Sequence, residues 1–101
     1  MKVPVSLEVF KDTLDADEPI KSWPNYLQAL WWACNENWKN AHDLVDQSTD
    51  ATSKWVHAHL HREEGDQWNA NYWYRQAGKT MPNISIREER DTIIAALLKT
   101  N

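Results

Sequence analysis

Three of the four histidines of this chain fall within five residues, in the segment WVHAHLHREEGD that begins at residue 55. His57 and His61 are four residues apart, so on a helix their imidazole rings project from the same face. Glu64 continues that line three residues later. Two histidines at this spacing can share a divalent metal ion, and a third histidine or a carboxylate can complete a three-ligand site. With His42 as that third histidine, the candidate metal ligands are His42, His57, His61 and Glu64.

The same histidines have other interpretations, which the residues leave open. His57 and His61 can pack beside tryptophan rings as core residues, or act as general acids and bases because the pKa of histidine is near neutrality. His59 lies about 200° around the helix from each neighbour, in line with Trp55 and Glu63. No glutamate directly follows His57, so the pattern is not that of the zinc metalloproteases. We expect no cofactor, with a divalent metal as the alternative.

A second set of polar residues surrounds this segment. Arg62 and Arg75 can pair with nearby carboxylates, which would be a purely structural role. The functional interpretation is a pocket for a small polar ligand, in which an arginine binds a carboxylate or phosphate through two hydrogen bonds. The expected walls are Trp31, Tyr72 and Trp73. The candidate ligand-binding residues are His57, His61, Arg62, Asn69, Trp73 and Arg75.

The elements that position these residues are predicted to be helices. The chain has 101 residues, of which 42% are hydrophobic and only two are glycine. This composition favours an all-α fold in a single domain over residues 1–101. Hydrophobic periodicity indicates about six helices. The first starts near Ser6, and the second opens at SWPN, where Ser22 is expected to cap and Pro24 to fit the first turn.

Local signals also place the later helices. Asn37 is expected to cap the third helix, and Asp50 the fourth, which runs to about residue 64. Gly65 can adopt the left-handed conformation that ends a helix, and Asp66 can cap the fifth, so the two helices form a tight hairpin. The fifth helix ends at Gly78, and a capping box at residues 85 to 88 begins the sixth.

An internal repeat relates residues 26–47 to residues 55–76 by a shift of 29. Both copies have an aromatic start, an apolar helix, a short polar turn, a small alanine and a second helix. The identical pairs are Ala29 with Ala58, Asn40 with Asn69, Ala41 with Ala70, and Gln47 with Gln76. The repeat predicts two tandem αα-hairpins, with the first and last helices covering the exposed ends of the stack.

Two resemblances accompany this repeat. The segment EGDQWNANYWYRQAG resembles the turn and second helix of tetratricopeptide and Sel1-like repeats. The longer string AHDLVDQ, WVHAHLHREEGDQWNANYWYRQAG and MP resembles a family of short, functionally uncharacterised helical proteins found mainly in bacteria. That likeness covers roughly residues 25 to 98. It implies an all-helical fold with paired helices, and it carries no activity over to this chain.

Charge and composition exclude several classes of partner. The formal net charge is −4 with both signs interspersed, whereas nucleic acids require a basic face. No apolar run approaches the roughly 18 residues that span a bilayer, and the N-terminus does not read as a secretory signal. The single cysteine, Cys34, is expected to fill the core. A lone cysteine also favours a reducing compartment, so we expect a cytoplasmic protein.

Three functions remain open at this stage. The preferred prediction is a non-catalytic interaction module that binds a protein partner or a small polar ligand through an aromatic and polar patch on the fourth and fifth helices. The alternative is a metal-binding or hydrolytic site built from His42, His57 and His61 with a nearby carboxylate. A structural role in a homo-oligomer is the third, and the sequence does not decide whether the protein is an enzyme. Convergence of the three imidazole rings would favour the alternative.

Overall fold

The computed structural model describes residues 3–99, which contain α-helices and one 3₁₀ turn (Thr13–Asp15) but no strand. The helices are α1 (Leu7–Asp12), α2 (Asn25–Cys34), α3 (Trp38–Val45), α4 (Ala51–Glu63), α5 (Gln67–Gln76) and α6 (Ile86–Lys99). The predicted all-α fold with six helices is therefore confirmed.

Most predicted helix caps are present. The side chains of Ser6, Asn37, Asp50 and Asp66 each accept a hydrogen bond from the backbone N–H three residues later. Ser85 and Glu88 form the reciprocal capping box at α6, with both hydrogen bonds at 3.0 Å. Each such cap satisfies backbone donors that the first helical turn leaves free.

The predicted start of α2 is wrong. The helix begins at Asn25, and Pro24 precedes it with an extended ψ of 151° instead of lying in the first turn. The carbonyl of Pro24 accepts the first helical bonds, from the N–H groups of Leu27 and Gln28. Because the chain becomes helical only after Pro24, Ser22 is too far upstream to act as the cap.

The two interhelical turns have the same backbone hydrogen bonds at a shift of 29 residues. Glu36 and Gly65 both adopt a left-handed conformation, with φ of 60° and 86°. In each turn the next residue donates to the carbonyl five positions back, Asn37 to Trp32 and Asp66 to His61, both at 2.9 Å. The sequence repeat therefore corresponds to a repeat of turn geometry, although the first copy uses a glutamate where the second has glycine.

Helix α4 lies at the centre of the fold. The hairpins α2–α3 and α4–α5 pack together through contacts of α4 with α2 and α3, and α6 packs across α4 and α2. Helix α1 contacts α6. The first and last helices therefore lie together, and they do not cover opposite ends of a two-hairpin stack as the repeat predicted.

Two clusters of buried side chains hold the helices together. The main cluster joins α2, α4 and α6 with Phe10 of α1 and Trp23, and its other large buried members are Leu27, Leu30, Trp31, Leu60, Ile93 and Ile94. A smaller cluster of Ala58, Ala70 and Tyr74 lies between α4 and α5. The alanines matched by the repeat are all fully buried, so each hairpin brings its helices close at a residue without a bulky side chain.

None of the helices in residues 3–99 combines the length and apolar character that a membrane-spanning helix requires.

The left-handed turns allow a paired test of stability. Nothing lies within 4 Å of a Cβ built on Gly65, so Gly65→Ala tests backbone strain alone. We expect the substitution to lower the free energy of unfolding by about 1 to 2 kcal/mol, because a side chain disfavours this conformation. Glu36→Gly should raise it by less than about 1 kcal/mol, because the entropy of glycine in the unfolded chain offsets part of the relief. Urea denaturation measures both, and changes of the same sign would contradict the shared turn geometry.

Candidate functional site

Three histidines converge between α3 and α4. His57 and His61 lie one turn apart on α4, and the ring of His42 on α3 contacts both of them. The Nε2 atoms of His42 and His57 are 3.1 Å apart. One ligand nitrogen from each of the three rings lies within 4.8 Å of the other two. We call this set the histidine cluster.

Two tryptophan rings stack on the histidine cluster. Trp38 on α3 stacks on His42 with ring centroids 4.6 Å apart, and its Nε1 donates to the carbonyl oxygen of Leu60. Trp73 on α5 stacks on His57 at 4.2 Å. These contacts fix both rings, because each lies against a tryptophan face at stacking distance.

The burial of His57 decides its protonation state. Only 3% of the residue is exposed. Burial, together with the neighbouring His61 and His42, lowers the pKa of His57 to about 4. His57 is therefore neutral near pH 7, and one of its ring nitrogens has a free lone pair. Its Nε2 lies 3.1 Å from Nε2 of His42, so one of the two rings donates a hydrogen bond to the other across this contact.

Carboxylates line the open side of the cluster. Glu64 Oε2 lies 2.6 Å from His61 Nδ1, so His61 donates from Nδ1 and its Nε2 is left as the acceptor. Asp46 Oδ1 lies 3.8 Å from His42 Nε2. Ligand atoms of His61, Glu64 and Asp66 also lie within 4.8 Å of one another. The predicted set of His42, His57, His61 and Glu64 is thus brought together, with Glu64 beside a ring and not among the three convergent nitrogens.

His59 faces the opposite side of α4 and has a different role. It is fully buried, with Nε2 2.6 Å from Glu63 and Nδ1 2.7 Å from Glu89 on α6. Glu89 also accepts a hydrogen bond from the hydroxyl of Tyr74, and Arg62 pairs with it at 3.0 Å. Helical spacing placed Glu63 on the same face as His59. It did not indicate Glu89 on α6 or Tyr74 on α5, because both are distant from His59 in the chain.

The charges in this buried network support one another. Burial alone would lower the pKa of His59, but contacts with Glu63 and Glu89 outweigh it and leave the pKa raised. Burial alone would raise the pKa of Glu89, but the hydrogen bonds from His59 and Tyr74 leave it lowered. Burial followed by the bond to Glu89 raises the pKa of the Tyr74 phenol. The neighbours thus favour the charged forms of His59 and Glu89 and the neutral form of the Tyr74 phenol.

The remaining candidate ligand-binding residues are dispersed. Arg62 is held in the buried network and also donates to the carbonyl oxygen of Ile84. Asn69 donates from its backbone and side chain to the Asp66 carboxylate, so it completes a helix cap. Arg75 is exposed and lines a different cavity, near Trp55. Of the six predicted residues, only His57, His61 and Trp73 lie together, in contact through their rings.

Two further sequence interpretations concern the helix α2. Trp31 does not wall a pocket with Tyr72 and Trp73, because it is buried in the main core and donates from Nε1 to the carbonyl of Thr13. Cys34 packs against the same core and is half-buried, as predicted. Burial raises the pKa of the Cys34 thiol, so the reactive thiolate is disfavoured.

The outer face of α5 extends the aromatic wall into solvent. Tyr72 meets Trp73 edge to face with centroids 5.1 Å apart, and its other side lies parallel to Trp68 at 6.4 Å. Trp68 is 76% exposed and Tyr72 is 39% exposed. A continuous series of rings therefore runs from the protein surface to His57.

The buried network makes a prediction about stability and pH. Glu89→Gln should lower the free energy of unfolding by about 3 to 5 kcal/mol near neutral pH, because His59 and Arg62 lose a buried charged partner. The folded-state pKa of Glu89 is lowered, so its contribution is present above the unfolded value of 4.5 and is lost as pH falls through the folded value. The stability difference between wild type and variant should therefore shrink below pH 4.5, measured by urea denaturation at several pH values.

Glu88→Gln is the matched control. Glu88 is the exposed neighbour in the capping box, and glutamine can make the same cap hydrogen bond. We expect a loss below about 1 kcal/mol. Equal losses for the two variants would show that the Glu89 network contributes nothing specific.

Comparison with known proteins adds no relative to this geometry. No protein-family model, no curated protein and no solved structure matches the chain. The resemblance of residues 25 to 98 to a family of short helical proteins therefore stays a prediction, and the function has to be argued from the site itself.

Proposed function

We propose that this protein binds one divalent transition-metal ion through ring nitrogens of His42, His57 and His61. The observation that carries the proposal is the spacing of those nitrogens, all within 4.8 Å of one another. In a tetrahedral zinc site with Zn–N bonds of about 2.0 to 2.1 Å, ligand nitrogens lie roughly 3.3 Å apart. The Nε2 atoms of His42 and His57 are already near that distance, at 3.1 Å.

The protonation states of the cluster suit metal binding. A histidine coordinates a metal through the lone pair of a neutral ring. His57 has that form near pH 7 because its pKa is about 4. His61 donates from Nδ1 to Glu64, which orients the ring and leaves Nε2 for the metal. A carboxylate behind a ligating histidine is a common arrangement that raises the basicity of the ring.

The ligand set also selects the class of metal. Three imidazole nitrogens suit Zn²⁺, Cu²⁺, Ni²⁺ or Co²⁺ and do not suit Mg²⁺ or Ca²⁺, which prefer oxygen ligands. Three protein ligands leave a fourth coordination position for water or a substrate, as in hydrolytic zinc sites. Asp46 is a nearby carboxylate that could accept a proton from bound water, because it lies 3.8 Å from His42 Nε2. The function proposed is metal binding. With a bound water and Asp46, the same site would have the groups that metal-dependent hydrolysis requires.

Metal titration tests the proposal directly. Protein prepared without a histidine tag and stripped by a chelator should bind one equivalent of Zn²⁺ or Co²⁺, with the visible absorption of tetrahedral Co²⁺. Glu64→Gln should lower the affinity about 10- to 100-fold through loss of ring orientation. His42→Ala should lower it further by removing a ligand, and the metal should raise the melting temperature of the wild type more than that of this variant.

Asp43→Asn is the control for charge. It removes a carboxylate one residue from His42, but that carboxylate is exposed and pairs with Lys39 at 2.8 Å. Its affinity for the metal should match that of the wild type. Binding of less than about a tenth of an equivalent by the wild type, or unchanged affinity in His42→Ala, would exclude the metal site.

A second candidate function is supported by the exposed aromatic pair on α5. At the positions in α3 that correspond to Trp68 and Tyr72 by the 29-residue shift, the chain has Lys39 and Asp43, which form an exposed ion pair. The repeated hairpin therefore does not require aromatic residues there. Exposed tryptophan and tyrosine are typical of contact surfaces, which favours a tetratricopeptide-like interaction module. The single cysteine supports its placement in the cytoplasm.

The partner proposed for this surface is a second copy of the chain. The exposed helix neighbours Gln67 and Asn71 are uncharged, so a two-fold contact can bring the patch against itself without juxtaposing like charges there. The double variant Trp68→Lys with Tyr72→Asp transplants the ion pair of the first hairpin. We expect sedimentation velocity to show self-association of the wild type and a monomer for the variant, with nearly equal melting temperatures. A wild type that is monomeric at every concentration would overturn this candidate.

A further inference from the structure

A cavity separate from the histidine cluster opens beside the second hairpin, α4–α5. It has a volume of about 600 Å³ and lies between the end of α5, the following loop and α6, with Trp55 of α4 in its wall. Small-molecule sites commonly measure about 300 to 1,000 Å³. Its apolar surface comes from Trp55, Pro82, Ile84 and Ile93.

Two cations border this cavity without a carboxylate partner. Lys11, Lys21, Lys39, Arg62 and Arg90 are each paired with an aspartate or glutamate. By contrast, the side chain of Arg75 makes no hydrogen bond or ion pair with any of residues 3–99. The Lys79 ammonium instead lies 4.3 Å from the centroid of the Trp55 ring. In a chain with a net charge of −4, these two positions are available to a ligand anion.

The acidic residue in the cavity does not cancel this positive charge. Glu89 is the carboxylate that lines the wall, and only 3% of it is exposed. Its oxygens are already held by His59, Arg62 and Tyr74. The carboxylate is thus neutralised from the protein side, and the field at the mouth of the cavity is set by Arg75 and Lys79.

The apolar wall continues past the lysine. A second cavity of about 400 Å³ shares Trp55 and Lys79 with the first and is lined mainly by small and aliphatic residues of α4, α5 and α6. Its other lining residues are Ala51, Thr52, Ala77, Ala96 and Leu97. Lys79 therefore lies over Trp55, the ring that lines both cavities. If its ammonium turns toward an anion, the face of Trp55 becomes available for stacking.

We propose that this cavity binds a small organic anion, whose carboxylate pairs with Arg75 and Lys79 and whose flat apolar body stacks on Trp55. Arginine can hold a carboxylate through two parallel hydrogen bonds, and the lysine adds a point charge. The face of Trp55 that the Lys79 ammonium now covers would then contact the apolar body of the ligand. This site shares no residue with the histidine cluster, so it is independent of the metal proposal.

The probe for this site is 2-naphthoate, with its neutral analogue 2-naphthalenemethanol. Titration followed by ¹H–¹⁵N NMR should shift the indole N–H of Trp55 and the amides of Gly78 and Lys79. We expect the naphthoate to bind at least about tenfold more tightly than the alcohol, because only the anion pairs with the cations. Arg75→Gln and Lys79→Gln should each remove about tenfold in affinity. Trp55→Leu should weaken both probes.

Lys54→Gln is the control for net charge. Lys54 is the chain neighbour of Trp55 but does not line the cavity, so its variant should bind naphthoate like the wild type. Because Arg75 and Lys79 are exposed, their variants should keep the wild-type melting temperature. Equal affinity for the anion and the alcohol, or wild-type affinity in both Arg75→Gln and Lys79→Gln, would overturn the proposal. Shifts confined to the Trp68 and Tyr72 resonances would overturn it as well.

Discussion

The packing of α4 against α2, α3, α5 and α6 is the constraint on which the rest of the structure depends. A helix with neighbours on four sides leaves few of its side chains in water. A buried polar group costs free energy unless it is hydrogen-bonded, and a buried charge costs more unless it is paired. The histidines of α4 must therefore find partners inside the protein, and the two faces of the helix solve this problem differently.

His57 and His59 show the two solutions within three residues. His59 faces α6, where two carboxylates contact its ring and raise its pKa. His57 faces α3 and α5, where it contacts His42 and Trp73 as well as His61 of its own helix, and its pKa falls to about 4. The network thus favours the charged form of His59, while burial favours the neutral form of His57. A neutral imidazole is the form that the proposed metal site requires.

Local chemistry explains which features could be predicted from the sequence. Gly65 with Asp66, and Ser85 with Glu88, act on backbone groups within a few residues, so composition and spacing were enough. Glu36 was missed as a left-handed residue because glutamate rarely adopts that conformation, and only its alignment with Gly65 indicates it. Ser22 failed as a cap because the helix begins only after Pro24, at Asn25.

Long-range contacts explain the rest. The i, i+4 spacing predicted that His57 and His61 share a face, and the helix order indicated His42 as a neighbour, but no local pattern joins Glu89 to His59 across 30 residues. Arg62 was assigned to the ligand site for the same reason. Its position on α4 is compatible with either face, and only the packing of α6 shows that it pairs with Glu89.

The histidine cluster also lies at the junction between the two hairpins, since His42 belongs to the first and the other two rings to the second. One hydrogen bond joins Nε2 of His42 to Nε2 of His57 across this junction. If the cluster binds a metal as proposed, the proton between these two nitrogens would move to Nδ1 of the ring that donated it, and the three histidines would together link α3 to α4. Since α4 also carries the Glu89 network to α6, such a ligand would stabilise the helix on which that network depends.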